Sequence, residues 1–113
     1  MQVYNATRGK SLAHNVILAD SFFTRLKGLL GRKDLPRGWC MLIKPCSSVH
    51  TMFMAFPIDI LFLDGSSRVV ALYKSLPPFR LSRIVNQSRM VIELPPETVA
   101  LTDTTTGDLI EFR

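Results

Sequence analysis

Cysteine is scarce in this chain: Cys40 and Cys46 are the only two in 113 residues. Two thiols six positions apart make no disulfide framework, and a chain of this length buries a core without covalent staples. Reduced thiols are expected at both positions. Long apolar runs are missing as well. None reaches the roughly 18 to 20 residues that a membrane-spanning helix requires, and the opening MQVYNATRGK has no apolar signal core. The expectation is a soluble, cytoplasmic protein with no membrane partner. Acidic residues are sparse through position 89, where 4 Asp and Glu stand against 13 Lys and Arg, whereas residues 90–113 hold 5 acidic residues against Arg113 alone. A basic body of this kind speeds encounter with anions. Its cations are scattered and lack interleaved exposed aromatics, which argues against a nucleic-acid partner. The plain reading is that the acidic C-terminal stretch folds back onto the basic body.

What is present is ordinary globular composition, 47% hydrophobic and 20% charged, in a length that suits one domain over residues 1–113. Val3 to Thr7 and Leu12 to Ala19 read as two strands around the turn-forming Arg8-Gly9-Lys10-Ser11. After Asp20, an N-cap candidate, Phe22, Phe23, Leu26, Leu29 and Leu30 recur at helical spacing, and Gly31 is placed to end a helix near 21–30. Met41 to Lys44 reads as a short strand. Ile58 to Leu63 is an apolar run that turns through Asp64-Gly65-Ser66-Ser67 into Arg68 to Tyr73, a hairpin. Val91 to Leu94 and Asp108 to Phe112 read as further strands, Pro77 and Pro78 as an extended linker, and Thr104 to Thr106 as a solvated loop. The economical arrangement is an α+β domain: a mainly antiparallel, curled or barrel-like sheet of six to seven short strands with that one helix.

The segment MLIKPCSSVHTMFMAFPIDILFLD, residues 41–64, concentrates the chemistry. With its approach Gly28-Leu29-Leu30-Gly31-Arg32, Leu35-Pro36 and Gly38, and with the later Leu76-Pro77-Pro78-Phe79-Arg80, Val91-Ile92-Glu93-Leu94-Pro95 and Gly107-Asp108, it resembles a bacterial and archaeal family, domain of unknown function 192. The resemblance covers nearly the whole chain. It implies a small, strand-rich single domain with a short helix near the start and no established activity. Two features depart from the pattern: Cys40 stands where a small residue such as Gly is expected, and the N-terminal secretion signal of many relatives is missing.

Cys46 and His50 suggest a thiolate activated by imidazole, but four positions span roughly 13 Å on a strand against roughly 6 Å on a helix. The local sequence favours extended backbone, so a direct pair needs a bend at Ser47-Ser48. If residues 48–54 are extended, Ser48, His50, Met52 and Met54 share one face, a soft-donor set suited to Cu(I). Methionines are also common gap fillers, and the Cys-x-x-Cys spacing of a zinc site is absent. Asp59 lies opposite Ile58, Ile60 and Phe62 on its strand and is either paired, with Arg32, Arg80 or His50, or poised for proton transfer. His50 and Asp59 with a nearby hydroxyl would make a small hydrolase. No Gly-x-Ser-x-Gly elbow accompanies them, and Gly28-Leu-Leu-Gly31 ends a helix instead of cradling a phosphate. The leading expectation is a binding or accessory domain for an unknown small ligand, its site formed by Cys46, Ser48, His50, Thr51, Met54 and Asp59, flanked by Arg32 and Met41. A hydrolase-type enzyme and a copper binder are the alternatives. The cofactor, the oligomeric state and the identity of the ligand are left open.

Overall fold

The computed structural model describes residues 1–19, 35–44, 47–51 and 54–113. Among these, eight strands and one short helix are formed: β1 Val3–Asn5, β2 Lys10–Ala13, β3 Asn15–Ala19, β4 Trp39–Ile43, β5 Ile58–Leu63, β6 Val69–Leu76, β7 Met90–Leu94, α1 Thr98–Thr102 and β8 Ile110–Phe112. They build a three-stranded sheet in the order β2-β1-β8 and a five-stranded sheet in the order β3-β4-β7-β5-β6. The expected barrel-like sheet is therefore two sheets that do not close, and the expected six to seven strands are eight. The helix expected near 21–30 lies outside the described residues. No described helix is long and apolar enough to cross a membrane.

The expected hairpin around Asp64 forms because that side chain organises the turn. Its Oδ1 accepts the backbone N–H groups of Ser66 at 2.9 Å and Arg68 at 3.0 Å, which leaves β5 and β6 antiparallel. The β1–β2 turn closes with Gly9 at φ 68, a left-handed conformation natural to glycine. The stretch Leu12 to Ala19, expected as one strand, divides at His14. The amides of His14 and Asn15 both donate to the Gly38 carbonyl, at 2.8 and 2.9 Å, and the chain passes from one sheet to the other. β3 then pairs with β4 in parallel, whereas the other pairs among the described strands are antiparallel. The polar pair His14-Asn15 marks the break, but apolar residues on either side serve both sheets equally well, so the change of sheet is not legible from them.

Every residue of β5 is buried. Two sides of the sheet explain this. Ile58, Ile60 and Phe62 join Met41, Ile43 and Val91 in one apolar cluster, covered by Leu35, Val49, Met54, Phe56 and Val85. Leu61 and Leu63 join Cys40, Ile92 and Leu94 in a second, packed against Val3, Leu12 and Ile110 of the smaller sheet and Val99 of α1. A strand covered on both faces loses the usual alternation of polar and apolar residues.

Candidate functional site

The expected site residues are spread over distinct roles. Met41 and Met54 are buried in the first apolar cluster. Thr51 is fully buried: its hydroxyl donates to the Pro77 carbonyl at 2.6 Å and accepts the Arg80 N–H at 2.9 Å. Around it, residues 47–51 zip antiparallel to 79–85 through backbone bonds from Thr51 to Arg80, Phe79 to Thr51, Ser82 to Val49 and Val85 to Ser47, all 2.8 to 2.9 Å. Pro77-Pro78 thus leads into a paired ribbon. His50, half-buried, stands opposite Leu81 in that ribbon, and Ser48 is exposed on it. Cys46 and Arg32 lie outside the described residues.

Asp59 is fully buried and binds neither Arg80 nor His50. Its Oδ1 accepts the Ser75 N–H at 2.7 Å and its Oδ2 the Val99 N–H at 2.8 Å. One carboxylate therefore joins β5 to the irregular end of β6, where Ser75 has φ 49, and to the first turn of α1, whose amides lack intrahelical acceptors. A second buried carboxylate, Glu93 on β7, went unread in the sequence. It faces the same side of the sheet as Val91, between Met41 on β4 and Ile60 on β5. The signal was an acidic residue inside an apolar strand run. Cys40 is a free, buried thiol on the opposite side, and burial pushes its pKa up to about 12, so it is protonated and unreactive at neutral pH.

A concavity among the described residues lies elsewhere. An open groove of about 830 Å³ runs beside β6, between residues 70–74 of that strand, Val99 and Ala100 of α1, and the turn at 103–106. Arg8, Lys74 and Arg83 line it, with the hydroxyl-bearing Thr104 to Thr106. The turn expected to be a solvated loop is only partly so, since Thr104 is buried. Asn5 Nδ2 donates to Thr104 Oγ1 at 3.0 Å and to Asp108 Oδ2 at 3.0 Å, and Asn5 Oδ1 accepts the Arg8 N–H at 3.0 Å. Thr102 gives its proton to the Thr98 carbonyl at 2.7 Å, so Thr104 donates in the 2.7 Å contact between the two hydroxyls. Asp108 Oδ2 also accepts the Thr105 N–H at 3.0 Å and Arg8 Nε at 3.1 Å. Burial pushes the Asp108 carboxyl upward, but the bonds from Asn5, Thr105 and Arg8, with the Arg8 charge, outweigh it and hold its pKa below the ordinary value. Asp108 is thus an ionised anchor for Arg8. No three His, Cys, Asp or Glu side chains gather as a metal site among the described residues.

Comparison with known proteins places this arrangement. The sequence model of the DUF192 family, described as uncharacterized ACR, matches residues 3–112. The chain belongs to that family. It is similar to a UPF0127 protein of Thermococcus kodakarensis, 31% identical over 114 residues that cover 97% of this chain and 72% of that one. A UPF0127 protein of Pyrococcus furiosus is 32% identical over 113 residues, 96% of this chain and 95% of the relative. The DUF192 fold recurs in the crystal structure of a protein of unknown function from Novosphingobium aromaticivorans, with a TM-score of 0.83 at 21% identity over 99% of this chain and 84% of that chain. It recurs again in a Sinorhizobium meliloti protein described as a proposed transcription regulator, with a TM-score of 0.76 at 23% identity over 97% and 89% of the two chains. Likeness at these identities concerns the fold alone.

Proposed function

We propose that this DUF192 chain is a binding domain for a small ligand, seated in the groove beside β6, and that the cluster around Thr51 and Asp59 serves the fold. The observation that carries the reading is the tethered Arg8. Asn5, Thr104, Thr105 and Asp108 spend a buried hydrogen-bond network on holding one guanidinium at the groove wall. Amides alone satisfy another buried carboxylate, Asp59, whereas Asp108 is given a guanidinium that reaches the groove. Supporting this, the buried acid that a hydrolase would use, Asp59, is engaged with two backbone amides. That carboxylate is also fully buried, so a substrate proton cannot reach it while the β5–β6–α1 junction stays closed.

The test is native mass spectrometry of the purified chain against a metabolite extract, compared with Ala100→Trp, which fills the groove from an exposed position on α1. An adduct on the wild type that Ala100→Trp loses without a change in melting supports the reading. Retention of the adduct by Ala100→Trp together with its loss in His50→Ala moves the site to the ribbon. Turnover abolished by His50→Ala or Asp59→Asn in a folded protein would restore the enzyme.

A further inference from the structure

We propose that the groove takes a phosphate-bearing small molecule, with Arg8, Lys74 and Arg83 as its phosphate contacts; this rests on the reading of the groove as the binding site. Three cations line it against one carboxylate, Asp103, and Asp103 is engaged by Lys10 at 3.2 Å. Among the described residues Lys74 and Arg83 have no acidic partner. With Arg8 paired to Asp108 and Asp103 to Lys10, Lys74 and Arg83 leave a net positive charge on the lining that a multivalent anion would neutralise.

Arg8 differs from an ordinary surface arginine. Its Nε is bound to Asp108, whose side chain is only 4% exposed, so the guanidinium plane is oriented before any ligand arrives. Its two terminal amino groups make no bond among the described residues, and a planar fork of that kind matches two oxygens of a phosphate. Orientation in advance lowers the entropy lost on binding. The hydroxyls of Thr105 and Thr106, exposed at the same turn, add neutral donors. The rest of the lining selects for more than a bare anion. Ala71, Val99 and Ala100 give an apolar wall, and about 830 Å³ holds an organic group attached to the phosphate. A sugar phosphate or a mononucleotide has the size and the split polarity required. A nucleic-acid strand needs a continuous basic track with stacking aromatics, and this lining holds three cations and one aromatic, Tyr73.

The experiment is amide NMR on the full chain, titrated with ADP, inorganic phosphate and adenosine, repeated with Lys74→Gln and Arg83→Gln. These two side chains are exposed and carry no structural bond, so their variants keep the fold. ADP is expected to shift amides within 70–74 and 99–106, phosphate to compete for part of that set, and each Gln variant to weaken ADP by roughly 3- to 10-fold. Added salt should weaken ADP binding and leave adenosine unaffected. Equal shifts from adenosine and ADP, unchanged in the Gln variants, overturn the phosphate assignment and leave a groove that binds neutral ligands. No groove shifts from phosphates, together with shifts from a library of uncharged fragments, do the same. Silence of the groove toward both sets removes the binding reading itself. An oligonucleotide that binds the groove where ADP does not overturns the small-molecule assignment.

Discussion

Replacing Asp59 by Asn leaves one acceptor where two amides, those of Ser75 and Val99, need one each. The carboxamide nitrogen then faces a donor, and the stranded buried N–H costs about 1–3 kcal/mol. Urea unfolding should show that loss, and a change within about 0.5 kcal/mol would mean the junction tolerates a neutral group. Cys40 makes a pH-dependent statement. Its pKa is raised to about 12 by burial, whereas an unfolded thiol ionises near 8.5, so the unfolded chain releases its proton first. The sign is then fixed: Cys40 has no effect below about pH 8.5, and above it stability falls by up to about 1.4 kcal/mol per pH unit. Unfolding of wild type and Cys40→Ala from about pH 7 to about pH 10 should diverge in slope only on the alkaline side. Parallel slopes would mean that the thiol is not kept protonated by the fold. Asp108 has the opposite sense. Its depressed pKa adds stability that is complete above the unfolded carboxyl pKa near 3.9 and is lost as the pH falls from there through the lower folded value.

At the scale of elements, α1 is a single turn of five residues, too short to be stable by itself. Tertiary bonds hold it: Asp59 accepts the Val99 amide, Thr98 Oγ1 donates to the Pro95 carbonyl at 2.8 Å, and Val99 is buried in the second cluster. Its N-cap, Glu97, makes no side-chain cap bond and has φ 75. A left-handed conformation costs a non-glycine residue about 1–2 kcal/mol, and glycine gives back about 0.5–1 kcal/mol of that through unfolded-state entropy. The exposed Arg37–Glu97 contact at 3.5 Å contributes little. Glu97→Gly should therefore stabilise by up to about 1 kcal/mol, read as an upward shift in melting temperature. Destabilisation would point to a role for the glutamate that its exposure does not suggest. Which elements were legible follows the same logic. Hairpins with the turn chemistry of Asp64 and Gly9 could be read locally, whereas α1, made by an acceptor 40 residues away, could not.

For the whole molecule, the two ends of the chain close the smaller sheet. β1 lies between β2 and β8, and Gln2 and Arg113 exchange backbone bonds at 2.6 and 2.8 Å. Ile110, only 1% exposed, reaches the second cluster from β8. Removing residues 109–113 exposes the facing apolar surface and leaves β1 paired on one side only, with β2, a loss of at least about 3–5 kcal/mol that rivals a small domain's total stability. Thermal melts of the truncated chain should lose cooperativity, and a sharp transition near the wild-type temperature would show that β8 is dispensable. The charge asymmetry resolves at this scale too. Acidic residues of the C-terminal stretch meet the basic body as Asp108 with Arg8, Asp103 with Lys10 and Glu97 with Arg37, at 3.1, 3.2 and 3.5 Å.

Residue pattern alone was enough for the strand-rich class, for the β5–β6 hairpin and for the family, since each rests on local periodicity, turn chemistry or motifs readable along the chain. It was also enough to single out Asp59, because a carboxylate inside an apolar strand must either find partners or shift its pKa. It could not name those partners, and it offered three charged side chains where the fold supplies two backbone amides. The passage of the chain between sheets at His14, the parallel β3–β4 pair and the division into two sheets depended on which apolar faces met. Hydrophobic burial is non-directional and leaves that choice to packing. The groove was decided entirely in three dimensions: Arg8, Lys74, Arg83 and the turn at 103–106 are dispersed along the chain. Only the pairing of β1 with β8 and the anchoring of Arg8 by Asp108, 100 positions away, bring that turn and the guanidinium to one wall.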